Sequence, residues 1–321
     1  MVTMSSTGLI VTTPSDTEIV MKRVFDAPRA LVFEAHSKPE HIKRWWGPRG
    51  YTTPICEMDF RPGGAWHFVQ RGLDGTEFGF HGEFREIVLP EKIVWTFEFE
   101  GMPGQVSVQT LTLEEENGKT TLTSRVVFDS IEDRDGMLQS GMERGAGESM
   151  DRLEEHLAVM AGEAPEPELE LTRVFDAPRA LVWKAWTDPE HFVRWWGPTG
   201  YTTPHCSIDL RPGGRIHFCM RSPEGKDFWG VGVFREVVEP KRLVFTDSFS
   251  DADGNVVEPA AYGMPEWPKE TLITVTFAEA NGRTTMTMRH GVPISLAETN
   301  GAFQGWSESF DKLAAYLTAA R

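Results

Sequence analysis

One ten-residue segment occurs twice in the chain without change, and this repeat constrains the fold more than any other feature. The sequence RVFDAPRALV fills residues 23–32 and again residues 173–182, which lie 150 positions later. At the same spacing, residues 44–64 recur at 194–214 with five differences. Two copies of one sequence are expected to fold as two copies of one unit. The 321 residues therefore predict two domains of about 150 residues, a size that supports an independent core.

In the later parts of the two copies, the spacing between equivalent residues is no longer 150. NGKTTLT begins at Asn117 and its counterpart NGRTTMT at Asn281, a spacing of 164 that implies a 14-residue insertion in the second copy, within residues 250–269. The segment AGEAPEPE, about 161–168, carries two prolines and three glutamates, which favour an extended linker. We therefore predict a first domain over 1–162, including a frayed N-terminal tail, and a second domain over 163–321.

The hydrophobic patterns predict the same architecture for both copies. Residues 19–25 and 169–175 alternate as strands, Asp26 with Pro28 and Asp188 with Pro189 predict helix starts, and several β-rich runs separated by turns follow. Each copy ends in a long helix with one apolar stripe, formed by Ala146, Met150, Leu153 and Leu157 or by Trp306, Phe310, Leu313 and Leu317. The fold class is thus α+β. We expect two tandem domains, each with about six antiparallel strands curved around a C-terminal helix and with two short helices after the first strand.

A single helix laid across a twisted sheet does not fill the concave face from end to end, so each domain is expected to enclose a cavity. Large residues of the strands and of the RWWGP segment are its predicted wall. In the first copy these are Trp46, Trp66, Phe68, Phe80, Phe84, Trp95 and Phe97. In the second copy they are Trp196, Phe218, Met220, Trp229, Phe234, Phe245, Trp267 and Trp306. Trp267 belongs to the insertion, which is expected to form either a lid over the cavity or a solvated loop.

Three histidines are the candidates for catalytic chemistry. His67 and His217 occupy equivalent positions, and each precedes an arginine by four residues, Arg71 or Arg221. His81 has no histidine counterpart in the second copy. A histidine and an arginine that both point into the pocket could act as acid and base. Strand alternation favours the other possibility, because it places these residues on the face opposite Phe68, where they would form a polar stripe in solvent.

Composition excludes several classes of function. A net charge of −16 opposes binding to nucleic acid or to an anionic membrane surface. With three cysteines and no CxxC pair, we expect no disulfide framework and a cytoplasmic protein, in which Cys56 and Cys206 are buried thiols. The chain carries no motif for a metal or a cofactor, and no segment long enough for membrane insertion.

Several segments together resemble a known family. DAPRALV, RWWGP, RPGG, GFHGEFREIVLPEKIVWTF and SGMERGAGESMDRLEEHL are similar, in this order, to START-like (SRPBCC superfamily) domains of the activator of heat-shock-protein-ninety ATPase homologue family. The resemblance covers both copies. It implies a helix-grip fold whose cavity binds lipids, sterols, polyketides or other apolar molecules, and some members of the superfamily are cyclases or other enzymes.

Three functions are consistent with these observations. The leading expectation is non-catalytic binding of a small hydrophobic molecule. The alternatives are a cyclase or hydrolase that uses the pocket histidines and arginines, and a chaperone accessory or other protein-interaction module. The last would use the acidic residues of the first C-terminal helix, Glu143, Glu148, Asp151, Glu154 and Glu155, although a solvated face also explains them.

Overall fold

The computed structural model describes residues 2–4 and 8–319 and divides into two compact units. Unit 1 extends to Pro165 and unit 2 begins at Glu166. Each unit is an antiparallel sheet with helices, in agreement with the predicted α+β class.

Unit 1 is a nine-stranded sheet with four helices. Its strands are β1 (Val2–Met4), β2 (Ile10–Thr12), β3 (Glu18–Phe25), β4 (Thr52–Met58), β5 (Ala65–Arg71), β6 (Glu77–Val88), β7 (Lys92–Phe99), β8 (Ser107–Glu116) and β9 (Lys119–Val127). Its helices are α1 (Arg29–Ser37), α2 (Pro39–Trp45), α3 (Ile131–Gln139) and α4 (Met142–Met160). The strand order is β1-β2-β3-β9-β8-β7-β6-β5-β4.

Unit 2 repeats this plan with seven strands. They are β10 (Glu168–Phe175), β11 (Thr202–Ile208), β12 (Arg215–Arg221), β13 (Asp227–Val238), β14 (Arg242–Ser250), β15 (Thr271–Ala280) and β16 (Arg283–Pro293), in the order β10-β16-β15-β14-β13-β12-β11. The helices are α5 (Arg179–Thr187), α6 (Pro189–Phe192), α7 (Ile294–Thr299) and α8 (Ala302–Ala319), and a 3₁₀ turn covers Pro259–Tyr262 in the insertion.

The local signals for turns and helix starts have mixed outcomes. The predicted hairpin at Asn117 and Gly118 is confirmed, since both residues have positive φ and connect β8 to β9. Asp188 caps α6 as predicted, by accepting a hydrogen bond from the Glu190 amide. The predicted Asp26 cap is wrong, because α1 begins after Pro28 and the Asp26 carboxylate instead binds Lys119.

The N-terminal segment is not a frayed tail. Residues 2–4 and 10–12 form β1 and β2, and β2 pairs with β3 at the edge of the sheet. Leu9 and Val11 are buried in the core of unit 1. The apolar part of this segment is too short for a signal peptide or a membrane span, which is why the sequence favoured a tail. Three residues are nevertheless enough to form a strand of a sheet.

The long helices α4 and α8 pack on their sheets through the predicted apolar stripe. Leu153 and Leu157 of α4, and Leu313 and Leu317 of α8, are at most 3% exposed. Each helix also has a positively charged side chain that donates hydrogen bonds to backbone carbonyl oxygens at and around the tryptophan pair. Arg152 donates to the carbonyl oxygens of Arg44 and Gly47, each at 2.8 Å. Lys312 donates to four carbonyl oxygens, of Trp196, Gly197, Pro198 and Tyr201. The helix therefore fixes the loop as well as the sheet.

Most acidic side chains of α4 form ion pairs or hydrogen bonds within unit 1. Asp151 and Glu154 each lie 2.5 Å from the Arg23 guanidinium, and Glu155 pairs with Arg49. Glu148 accepts from the backbone amide of Arg49. These contacts explain the acidity of the helix without a basic partner protein, so this face gives no support to a protein-interaction role.

Replacing Arg23 tests this arrangement. Arg23 is 6% exposed and lies between two carboxylates, so Arg23→Ala is expected to lower the free energy of unfolding by about 1–2 kcal/mol, as for a charge-assisted hydrogen bond whose acceptors stay partly hydrated. Urea denaturation measures the change. Arg144→Ala, which removes an exposed pair with Glu148, is the control and should leave the midpoint unchanged. Equal effects of the two variants would contradict the assignment.

Candidate ligand-binding site

Each unit contains a cavity, and the two cavities differ in size. The cavity of unit 1 has a volume of about 80 Å³, and that of unit 2 has a volume of about 280 Å³. An engineered apolar cavity of about 150 Å³ admits benzene, whereas a single water needs about 10–15 Å³. By this comparison, unit 2 has room for a small organic molecule and unit 1 has room for a few waters.

The structure places most of the predicted wall residues around these cavities. Trp46, Trp66, Phe68, Phe84, Trp95 and Phe97 line the cavity of unit 1. Trp196, Phe218, Met220, Trp267 and Trp306 line that of unit 2, and Trp229 borders it. The Trp229 ring stacks on His217 with a centroid separation of 5.0 Å, and Trp229 pairs with Cys219 beside the inward-facing Phe218. Its ring therefore lies on the outer face, although Trp229 is among the residues that line the cavity.

Three predicted wall residues line neither cavity. Phe80 points inward but fills space, with its ring 5.2 Å from Trp46 and 5.5 Å from Phe97. Phe234 and Phe245 are each 2% exposed and pack against one another in the core of unit 2. The prediction identified the correct face of the sheet for these residues but not which of them border empty space.

Substitutions between the copies explain why the two cavities differ in size and extent. Residues Phe80 and Phe97 of unit 1 correspond to Gly230 and Asp247 of unit 2, so two large rings are replaced by a hydrogen atom and a short side chain. A Cβ at Gly230 would approach the Phe218 ring to 2.5 Å. These two positions open the cavity of unit 2.

The opposite exchange occurs at two other positions. His36 and Ile42 line the cavity of unit 1, and their counterparts in unit 2 are the larger Trp186 and Phe192. Trp186 is 2% exposed and Phe192 is fully buried. The two cavities therefore share the part of the wall that Trp46 and Phe68 form in unit 1 and Trp196 and Phe218 form in unit 2, and they differ in the residues around it.

The insertion forms part of the wall in unit 2. Met264 and Trp267 line the cavity, and Trp267 is 8% exposed. Tyr262 anchors the segment, since its hydroxyl donates to the Ser250 carbonyl oxygen at 2.8 Å and accepts from the Trp229 amide at 3.2 Å. The segment is therefore not simply a solvated loop, since two of its side chains form part of the cavity wall.

The histidine and arginine candidates lie on the outer face of the sheets. His67 Nε2 is 2.9 Å from Glu100 Oε1, and His81 Nε2 is 3.4 Å from Glu98 Oε2. In unit 2, His217 Nε2 lies 3.3 Å from the Asp251 carbonyl oxygen. Arg71 and Arg221 form exposed pairs with Glu77 and Asp227. None of the five lines its cavity, so the solvent-facing alternative is the correct one and the proposed acid–base pairs do not form.

A buried histidine that sequence reasoning missed lies in the wall of unit 2. His290 is 2% exposed, and its Nδ1 accepts a hydrogen bond from the Trp306 indole at 3.2 Å. Because an indole only donates, Nδ1 carries no proton, and Nε2–H donates to Thr271 Oγ1 at 2.8 Å. Burial lowers the pKa of His290 to about 4, so the ring is neutral at pH 7. The corresponding residue in unit 1 is Val126.

One further polar group in this cavity lacks a hydrogen-bond donor. The Asp247 carboxylate accepts no hydrogen bond from residues 2–4 and 8–319, and its Oδ2 lies 3.9 Å from His290 Nε2. Burial raises the pKa of Asp247 to about 6. Polar groups inside proteins are almost always paired, so this carboxylate indicates a bound molecule or water.

The charged pairs beside the Pro-Gly-Gly turns and the cysteines Cys56 and Cys206 have structural roles. Asp59 and Arg61 form an ion pair at 2.8 Å beside the Pro-Gly-Gly turn, as do Asp209 and Arg211 at 2.9 Å. Cys56 is buried as predicted and Cys206 is half-buried. Burial raises the pKa of each thiol to about 12, which opposes a reactive thiolate.

The structure gives no sign of a metal centre or of a membrane span in the regions it describes. Across residues 2–4 and 8–319, no group of three or more His, Cys, Asp or Glu side chains is arranged to hold a metal ion. Over the same residues, every helix is too short or too polar to cross a bilayer.

The fold and the cavities define the class of protein. Each unit wraps an antiparallel sheet around a C-terminal helix with an apolar cavity between them, which is the START-like helix-grip domain. The family described as Activator of Hsp90 ATPase homolog 1-like protein matches residues 26–158 and 176–318. The chain belongs to this family, with one copy of its domain in each unit. No curated protein matches the chain.

Several solved structures resemble one half of the chain. An uncharacterized protein from Rhizobium leguminosarum is 30% identical and covers 44% of this chain and 94% of its own, with a TM-score of 0.36. A protein from Nitrosomonas europaea is 24% identical, with coverages of 47% and 99% and a TM-score of 0.43. The AHSA1 protein from Silicibacter pomeroyi is 23% identical, with coverages of 48% and 100% and a TM-score of 0.38.

Proposed function

We propose that the protein binds a small, largely apolar molecule in the cavity of unit 2, without catalysis. The observation that carries this proposal is a hollow of about 280 Å³ whose walls are mainly apolar, with several aromatic rings, and which holds a few converging polar groups. Ligand sites typically combine these features. The volume favours a molecule of one or two rings over a sterol or a long-chain lipid.

Unit 1 has a different role in this proposal. Its cavity of about 80 Å³ is smaller than the space that benzene occupies in a protein core, so unit 1 is not expected to bind the same molecule. A full-length chain should therefore bind one ligand rather than two.

The polar groups of the unit 2 cavity suit binding better than acid–base catalysis. His290 uses both ring nitrogens in bonds to Trp306 and Thr271, which leaves none to exchange a proton with a ligand. The Asp247 carboxylate lines the cavity and accepts no hydrogen bond from residues 2–4 and 8–319. A ligand that carries a hydrogen-bond donor would satisfy this acceptor.

Filling the cavity tests the proposal. Gly230→Phe introduces the residue that unit 1 has at this position. Its Cβ would meet the Phe218 ring at 2.5 Å, so the two rings must rearrange into the cavity, and binding of 2-phenylethanol or indole is expected to weaken at least tenfold. Isothermal titration calorimetry and native mass spectrometry of the full chain measure affinity and stoichiometry.

Leu272→Phe, at an exposed position of β15, is the matched control and should bind as the original protein does. The proposal predicts one binding site per chain. Failure of these probes to bind the unaltered protein, or equal binding by Gly230→Phe, would refute it.

A further inference from the structure

We infer that the molecule bound by unit 2 is an organic cation, a small amine or ammonium compound with an aromatic or apolar body, and that Asp247 is its counter-ion. This inference rests on the function proposed above and specifies the chemical class of the ligand. It begins from a carboxylate inside an aromatic cavity for which the described part of the protein supplies no partner.

Asp247 is placed in the cavity by the strand that carries it. In β14, side chains alternate between the two faces, and Asp247 is two residues from Phe245, whose ring is in the core. The Asp247 side chain is 25% exposed, and it lines the cavity. A carboxylate in such a place is costly unless it is paired or hydrogen-bonded.

The cavity supplies no positive charge to Asp247. No lysine or arginine is among the described residues that line it, and its other titratable side chains are His290 and Tyr201. His290 Nε2 is 3.9 Å from Asp247 and directs its proton to Thr271. Lys312, on the adjoining helix, is held by four backbone carbonyl oxygens. The described residues therefore leave this carboxylate available to a positively charged ligand.

The walls near Asp247 suit a cation with an apolar body. Two tryptophans contact the histidine beside this carboxylate: Trp306 donates to His290, and the Trp267 ring lies 5.5 Å from it. The Trp196 ring is 5.1 Å from Trp306 and continues the aromatic wall. Aromatic faces attract ammonium groups most strongly where water is excluded. A neutral alcohol would satisfy one lone pair of Asp247 but would leave its charge uncompensated.

The charge state of Asp247 is compatible with this role. Burial raises its pKa to about 6, so the group is mostly ionised above pH 7 and becomes protonated below pH 6. Since a cation requires the ionised form, affinity for an amine should fall about tenfold between pH 7.5 and pH 5. The affinity of a neutral compound should not change in this way.

Three probes of nearly the same shape test the inference in the full-length protein. These are 2-phenylethylamine, 2-phenylethanol and 3-phenylpropionate, which carry a positive, a neutral and a negative group. At pH 7.5 we expect the amine to bind at least tenfold more tightly than the alcohol, and the acid to bind most weakly, because Asp247 repels it. Isothermal titration calorimetry gives the three dissociation constants.

The variant Asp247→Asn keeps the size of the side chain and removes its charge. It should weaken binding of the amine at least tenfold, change binding of the alcohol by less than threefold, and abolish the pH dependence. Retained binding of the alcohol also shows that the variant is folded with its cavity intact.

The possible outcomes separate the two proposals. Equal affinities for amine and alcohol, or tightest binding of the acid, would overturn the cation inference and leave the proposed function standing. If none of the three probes binds, both fail. A preference for the amine that persists in Asp247→Asn would also overturn the inference, because the charge recognised would then lie elsewhere.

Discussion

Replacing Asp247 by asparagine is expected to stabilise unit 2 at neutral pH. Burial raises the pKa of this carboxyl to about 6, so folding favours its protonated form and ionisation opposes folding. A shift of about two pKa units corresponds to about 2–3 kcal/mol. At pH 7.5, Asp247→Asn should therefore unfold with a free energy higher by up to this amount.

The stabilisation by Asp247→Asn is expected to depend on pH. The folded state holds the Asp247 proton more tightly than the unfolded state, so the stability that the proton provides is present at pH 4 and is lost as the pH rises through 6. The advantage of Asp247→Asn should shrink below pH 6 and disappear near pH 4. Hydrogen exchange of peptides from unit 2 measures it. Glu266→Gln, which changes an exposed carboxylate, should have no such effect. A destabilised Asp247→Asn at pH 7.5 would contradict the account.

Acid is expected to destabilise unit 1 through His36. Its Nδ1–H donates to the Val32 carbonyl oxygen at 2.8 Å, and burial lowers its pKa to about 4. The unfolded chain takes up the proton first, so stability present above pH 6.5 is lost as the pH falls towards 4. The expected loss from this group is about 2–3 kcal/mol.

His36→Gln tests this source of acid sensitivity. An amide side chain retains a donor for Val32 but does not titrate, so the variant should lose less stability than the original protein between pH 7 and pH 4. Hydrogen exchange of peptides from unit 1 reports the difference, and peptides from unit 2 serve as the internal control because they lack this residue. Identical pH profiles for the two proteins in unit 1 would rule out His36 as the cause.

Asp247 suggests that the cavity of unit 2 is maintained at a cost in stability. Asp247 occupies the position of Phe97, an apolar residue in unit 1, and is destabilising when ionised. Destabilising residues are commonly retained where a function needs them. This view agrees with the inference that a bound cation offsets the charge of Asp247.

The sequence predicts the fold well because its signals are local and repeated. The duplicated segments define two units, and the stripes through Leu153 and Leu313 identify the helices that cover the sheets. Strand alternation also predicts that Phe68 and Phe218 point into the cavities, which the structure bears out. These features depend on residue periodicity and change little with the details of packing.

The open end of each cavity is harder to predict, since it depends on side-chain volumes at positions that meet only in the folded protein. Phe80 and Gly230 correspond to each other, yet only packing shows that one fills a space and the other opens it. A useful signal was nevertheless present in the sequence. Asp247 and His290 lie two residues from Phe245 and Met288 in their strands, which places both on the inward face of the second copy, where the first copy has Phe97 and Val126.

The most direct test of the central claim is a crystal structure of the full-length protein soaked with 2-phenylethylamine. The account predicts the ligand in unit 2, with its ring beside Gly230 and its nitrogen about 3 Å from an Asp247 oxygen, and no ligand in unit 1. A cavity closed by Met264 and Trp267, or the same ligand bound in unit 1, would contradict it.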